Sequence, residues 1–364
     1  MILFFSFLSF VQILFLPGLI YCYLKKKFNL FFIISLSIFF NFILILLISL
    51  LKIYSFKLLL IIILFELLLI GFFFLKDKNN FKLNFNFNFF DIFSCIIIIF
   101  LSYKLLQYFY PFFGSLFSEG DVLQSWNEWA LNLIGSTYKP GKLIIGSFDS
   151  DFIANQSRSY YGQLIPAIWS IFYLMTGNND VTMFPKFLNF LLSCLGIIYL
   201  ILDYFKSKKL LNLLLLIFII VLFYKEHAHL VYSGLVDSSL SIFVFISLLS
   251  VFKFDDNFDE NKLKTGILFA AIASNIKILT IYYSVIFLPI YLFFNYSNQL
   301  KKKIFLYIVI CWCLCLFWPI YQYFIFDINI ISNNNLDYLN SLSVKDYDEG
   351  LKRISGLFGS LKIF

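Results

Sequence analysis

Runs of about 20 apolar residues recur along the chain, each closed by a short polar gap, and that is the length a helix needs to cross a bilayer core. Full-length runs fall at 2–23, 28–51, 54–75, 89–111, 182–205, 235–252 and 304–325. Shorter or interrupted ones fall at 210–224, 265–280 and 282–296. The pattern predicts an all-α polytopic membrane protein of about ten transmembrane helices.

The gaps carry the orientation signal. Lysines cluster at 25–27, at Lys76, Lys78 and Lys82, at Lys206, Lys208 and Lys209, at Lys253, Lys262 and Lys264, and at 301–303. Successive clusters are separated by two spans, so the positive-inside rule assigns all of them to the cytoplasm. Lys52 and Lys57 fall in an opposite loop and run against the rule without reversing it. The other face then receives one large loop, 112–181, the turns near 225–235 and 281, and the tail 326–364. Within the loop, 163–176 is apolar but too short to span, which predicts an interfacial or re-entrant helix. The tail carries Leu351, Ile354, Leu357, Phe358 and Leu361 at helical spacing, the pattern of a surface-lying amphipathic helix. Three parts result: N-terminal helices over 1–88, a core with its outer loop over 89–325, and the tail.

Composition agrees. The 364 residues are 61% hydrophobic and 13% charged, with a mean hydropathy of +0.88. Soluble domains average about 45–50% apolar and about 25% charged. The 51 phenylalanines, beside abundant Ile, Lys and Asn, reflect AT-rich coding and do not by themselves mark an aromatic site. A net charge of +7 resides in loop clusters and does not point to nucleic acid. Cys22, Cys95, Cys194, Cys311, Cys313 and Cys315 all lie in apolar spans, the place of packing residues rather than of a disulfide framework or zinc site. The first span precedes three lysines and lacks a small-residue cleavage motif, so it reads as a retained helix.

Three ionisable residues change the picture. Asp121 opens the outer loop just after Glu119, ahead of an apolar stripe of Val122, Trp126, Trp129, Ala130 and Leu133. Taken alone it reads as a helix cap, and the tryptophans as interface anchors. Asp237 stands just inside the outer end of a span, where a cap is again the alternative. Lys277 ends an Ala-rich span far from any lysine cluster, rescued either by snorkelling or by a carboxylate partner such as Asp121 or Asp237. Charges inside spans are costly, about 2.5–3.5 kcal/mol at the centre on insertion scales, and the topology brings all three to one face. Glu226 lies beside His227 and His229, whose spacing does not converge on one metal site; a solvated helix end accounts for them. No glycine-rich phosphate loop, nucleophile elbow or zinc signature is present.

The layout of 119–130, 161–177, 233–240 and 266–280 resembles the GT-C superfamily of polyprenyl-phosphate-sugar glycosyltransferases. Protein O-mannosyltransferases and lipid A aminoarabinose transferases belong to it. The resemblance covers roughly residues 90–325. It implies an inverting sugar transfer at the outer face of a bacterial inner membrane, from a polyprenyl-phosphate-linked sugar donor to a lipid, glycan or protein acceptor. Asp121, Asp237 and Lys277 become the catalytic set, with Glu119, Trp126, Asn127, Glu128, Trp129, Arg158, Tyr161 and Glu226 binding substrate. No cofactor is required; a divalent metal between Asp121 and Asp237 is compatible with two carboxylates, but nothing demands one. Alternative readings are a transporter or flippase, a surface-polysaccharide polymerase or ligase, and a non-catalytic scaffold. No internal repeat supports an inverted-repeat transporter.

Overall fold

In the computed structural model the described residues are 1–76 apart from 27, six positions between 96 and 107, 126–134, 162–178, 182–207, 214, 217–218, 235–252, 259–277, 280–298, 300 and 302–326. Most of the predicted spans 89–111 and 210–224, most of the loop, and the tail beyond 326 lie outside them. Met1–Leu316 forms one compact unit and Phe317–Phe364 another.

Among the described residues the regular elements are all helical. They are α1 (Ile2–Leu14), α2 (Leu16–Lys25), α3 (Leu30–Leu50), α4 (Phe56–Lys76), α5 (Glu128–Leu133), α6 (Leu164–Thr176), α7 (Met183–Ser207), α8 (Asp237–Val251), α9 (Glu260–Ser274), α10 (Leu288–Tyr296), α11 (Ile304–Cys315) and α12 (Phe317–Phe326). Three are long and apolar enough to cross a membrane (α3, α4 and the 183–202 part of α7), and the bent pair α1–α2 makes a fourth if it is one span.

Helix starts follow their capping residues. The Asn29 side chain accepts from the amides of Phe31 and Phe32 at 3.0 and 3.2 Å, starting α3. Asp259 does the same for Asn261 at 2.9 Å, so α9 begins five residues ahead of the predicted apolar stretch 265–280. The predicted span 2–23 is broken at Phe15, with a 43° bend. Pro17 lacks an amide hydrogen to continue the ladder. Gly18 donates its own to Ser37 Oγ at 2.9 Å, and its missing side chain lets α2 touch α3, since a Cβ there would stand 2.1 Å from the Ile33 carbonyl oxygen.

The predicted span 282–296 opens with a π-helical turn, Tyr282–Phe287, before α10. In it the Leu288 amide bonds to Tyr283 and Pro289 has none, so the carbonyls of Ser284 and Val285 are released. Both are taken by α11, through Cys311 Sγ at 3.4 Å and Trp312 Nε1 at 2.8 Å. The Cys-Trp-Cys-Leu-Cys run thus packs α11 against a neighbour; Cys311 and Cys315 are free, with their sulfurs 3.8 Å apart.

Two helices form the interior. α9 is buried from Thr265 to Ser274 and packs most extensively on α8, where Ser247 Oγ donates to the Gly266 carbonyl at 2.7 Å. α6 is buried nearly all round, enclosed by α1, α3, α4, α5 and α7. An interfacial or re-entrant helix is expected for 163–176 from length; the observed α6 is enclosed by its neighbours, as a helix apolar on every side is. Phe10 meets Phe172 edge to face at 4.7 Å, and Tyr54 and Ser170 share a hydrogen bond of 2.9 Å.

Candidate functional site

α9 stops at Ser274, and the next three residues form a non-helical turn that carries Lys277. That turn is built by four neighbours. Asn275 Nδ2 donates to the Ala271 and Leu314 carbonyls at 2.7 and 2.9 Å, and Ser274 and Ser284 share a 2.5 Å hydrogen bond. The backbone before α6 supplies the rest: Gly162 N donates to Ile276 O at 2.9 Å and Leu164 N to Asn275 O at 3.3 Å. Those bonds satisfy helix-terminal carbonyls that would otherwise be orphaned. Gly162 is required by proximity, because a Cβ at that position would stand 1.8 Å from the Asn275 carbonyl oxygen.

The first residue of α8 meets this turn. Lys277 Nζ lies 2.5 Å from Asp237 Oδ1. Val236 occupies the cap position of α8 without a side-chain bond, so Asp237 is not the cap; its carboxylate is spent on the lysine. The pair is partly open, with side-chain exposures of 20% for Lys277 and 40% for Asp237. A second charge could therefore reach either group without the whole cost of burying an ion.

α7 presents polar residues to the same helix start. Asn189 Nδ2 donates to Leu235 O at 2.8 Å, and Ser193 and Ser238 are joined through their hydroxyls at 2.9 Å. Lys186 shares that helical face and is only 2% exposed. It is absent from the sequence-derived site set, although a lone lysine in the span 182–205, away from the cytoplasmic clusters, is the same signal that singles out Lys277. Glu66, inside the span 54–75, escapes the sequence reading in the same way.

The other described site residues lie along α5 and α6. Trp126 and Trp129 are buried and pack edge to face at 5.4 Å, Glu128 is half-buried, and Asn127 Oδ1 accepts a hydrogen bond from the Tyr173 hydroxyl. Tyr173 is nine residues beyond Leu164, about 14 Å along α6 at 1.5 Å per residue. The structure therefore brings Asp237 and Lys277 together, while Asn127 is anchored far down α6 from the turn. Glu119, Asp121, Arg158, Tyr161 and Glu226 lie outside the described residues. So does one half of any metal site between Asp121 and Asp237; among the described residues no three His, Cys, Asp or Glu side chains gather to hold an ion. A cavity of about 300 Å³ lies elsewhere, between the end of α2 and the start of α9, lined by Lys25, Asn29, Asn261 and Lys264 among others. It is at the opposite end of α9 from Lys277.

The described elements define a helical class of protein with three helices, or four counting the bent pair, long and apolar enough to cross a membrane. No protein-family model, curated protein or solved structure matches the chain.

Proposed function

We propose that the chain is a GT-C-type glycosyltransferase with about ten transmembrane helices, working at the outer face of a bacterial inner membrane. The observation that carries this reading is the Lys277–Asp237 pair, half-open and held at a broken helix end by the backbone that leaves the outer loop. A sugar transferase of this kind needs a cation where a phosphate leaves and a base where a hydroxyl attacks. In this reading the acceptor oxygen attacks the anomeric carbon of a polyprenyl-phosphate-linked sugar and Asp121 takes its proton. The bond from that carbon to the phosphate oxygen breaks, and configuration inverts. Charge growing on the phosphate is met by Lys277, helped by Arg158, while Asp237 holds the ammonium in position. Glu119, Glu128, Tyr161 and Glu226 line the sugar and acceptor sites. Trp126, Trp129 and Asn127 brace the start of the loop against α6.

The test compares a deletion strain with strains carrying wild-type, Asp121→Asn or Lys277→Met copies, by mass spectrometry of envelope glycans and lipid-linked sugars. Loss of one sugar with accumulation of its lipid-linked donor, restored only by wild type, is the expected result. Restoration by all three copies would end the transferase reading.

A transporter or flippase is the second reading. The bent α1–α2 pair and the buried polar residues beside it favour that reading, because transport needs broken helices and polar groups at membrane depth.

A further inference from the structure

α4 is the most outlying of the three spanning helices. Its buried side chains are Leu59, Ile63 and Glu66, and the rest of its surface, half-buried or exposed, is apolar apart from Lys57 and Lys76. Glu66 is the eleventh of its 21 residues, mid-span, and is 6% exposed. An acid at that depth is costly unless it has a partner.

Its partner is an amide, which is itself tied to a second amide. The Gln12 side chain hydrogen-bonds the Glu66 carboxyl. Gln12 Nε2 also donates to Asn41 Oδ1 at 2.9 Å. Asn41 Nδ2 is spent on the Gln12 and Ser37 carbonyls at 2.9 and 2.8 Å. Every amide hydrogen of the cluster is thereby committed. Two oxygens remain, Glu66 Oε2 and Gln12 Oε1, both buried and without a hydrogen-bond partner. Two neighbouring side chains that each end in an unused acceptor can be met together by one shared proton or one cation.

Among the described residues, the surroundings do not supply it. α1 and α3 carry no ionisable side chain. α2 brings Tyr21, Cys22 and Tyr23, with Lys25 at its far end, and α6 brings Tyr173, whose hydroxyl is committed to Asn127. None of these is a cation at the depth of Glu66.

We propose that Glu66, Gln12 and Asn41 form an intramembrane site for one monovalent cation, a proton or an alkali ion, which bridges Glu66 Oε2 to Gln12 Oε1. A proton closes a two-bond carboxyl–amide ring; an alkali ion is ligated by the same oxygens. Gln12 lies one turn before the 43° bend, and Glu66 is the innermost polar contact of α4, so the cation fastens α4 to the bent pair. This site does not depend on the transferase reading and stands or falls separately from it.

The test uses the full chain in native membranes. A hydrophobic carbodiimide adds to a carboxylic acid, taking its proton onto nitrogen as the carboxyl oxygen bonds to carbon, and peptide mass spectrometry reads the adduct at Glu66. Labelling is run from pH 5 to 9 in choline chloride and in sodium chloride at equal ionic strength. A proton site gives labelling that falls as pH rises, the same in both salts. An alkali site gives labelling suppressed by sodium and not by choline at one pH. Labelling that is absent throughout, or equal in every condition, overturns the proposal.

Thermal unfolding of the purified protein is the second measurement. Saturating the site should raise wild-type Tm by at least about 2 °C. Glu66→Gln should fold and lose that dependence, because its amide supplies the missing donor to Gln12 Oε1 permanently. A variant that keeps the wild-type dependence would also overturn the site.

Discussion

Asp237 and Lys277 sit at helix ends and meet each other at 2.5 Å, whereas Glu66 sits mid-helix and, among the described residues, meets the Gln12 amide. The first site is neutral as a pair, open to its surroundings and framed by backbone hydrogen bonds from three segments. The second carries an acid without a countercharge among the described residues, closed in and framed by side chains. An open pair can exchange partners, releasing its lysine to an arriving phosphate at modest cost. A closed acid cannot do so, and its unmet oxygen, with that of Gln12, is what the proposed cation would meet. The difference separates the proposed chemistry on a substrate from the proposed binding of an ion.

The largest effect should come from breaking the open pair. On the proposed transferase reading, Lys277→Met is expected to lower sugar transfer by about 10²–10³-fold, the usual loss when one preorganised electrostatic donor is removed. Asp237→Asn should cost less, because an amide oxygen still accepts from the ammonium. The double variant should be no worse than Lys277→Met alone, since Asp237 acts through Lys277. Donor accumulation measured by mass spectrometry ranks the three; equal losses for both single variants with additive loss in the double would separate the residues.

Next comes the frame of that pair. Gly162→Ala should destabilise by about 1–3 kcal/mol, because the new methyl must displace the Asn275 backbone. Gly71→Ala in α4, where nothing lies within 4 Å, is the control and should be neutral or mildly stabilising. Thermal unfolding of both variants decides it. Equal Tm values would mean that the turn carrying Lys277 is looser than its bonds imply.

These sites differ too in how far the residues alone reveal them. Ionisable residues in apolar runs announce themselves, so Asp237 and Lys277 are legible without coordinates, as are α3, α4 and α7 from run length. Glu66 and Lys186 emit the same signal. What no local pattern contains is the partner: Gln12 and Asn41 belong to helices distant in sequence, and neither is unusual in its own span. The breaks at Asn275 and across Tyr282–Phe287 are hidden for a similar reason. Each is stabilised by groups arriving from elsewhere, Gly162 and Leu164 in one case, Cys311 and Trp312 in the other. The enclosure of α6 is hidden by length, because a 13-residue apolar helix can lie on a surface or fill a core.

The closed cluster should respond more weakly to substitution than the open one does to Lys277→Met. Asn41→Leu removes an acceptor from Gln12 and two donated bonds, yet hydrogen bonds between membrane helices are worth only about 0.6–1.7 kcal/mol each. A loss of about 1–2 kcal/mol is expected, together with loss of the cation-dependent shift in Tm. Retention of that shift would show that Glu66 and Gln12 suffice without Asn41.

The smallest effect lies at a third charged site, in the polar first turn of α9. Glu260 accepts from the Tyr307 hydroxyl, lies 3.1 Å from Lys264 and 3.7 Å from Lys303, and is one-third exposed. The Tyr307 hydroxyl first, then Lys264, hold its carboxyl below the ordinary value of 4.5. A carboxyl lowered on folding stabilises the fold above that value, and the contribution is lost as pH falls through the lower, folded one. Tyr307→Phe brings the two values closer, so the variant should be less stable near pH 7 but lose less on acidification below 4.5. Solvent screening keeps the neutral-pH loss under about 1 kcal/mol. Tm measured across pH 3–7 for both proteins gives converging curves if Glu260 is the group responsible. Parallel curves would assign the acid sensitivity to other carboxylates and leave Tyr307 a packing residue, so that among these charged sites only the buried acid would respond to a cation.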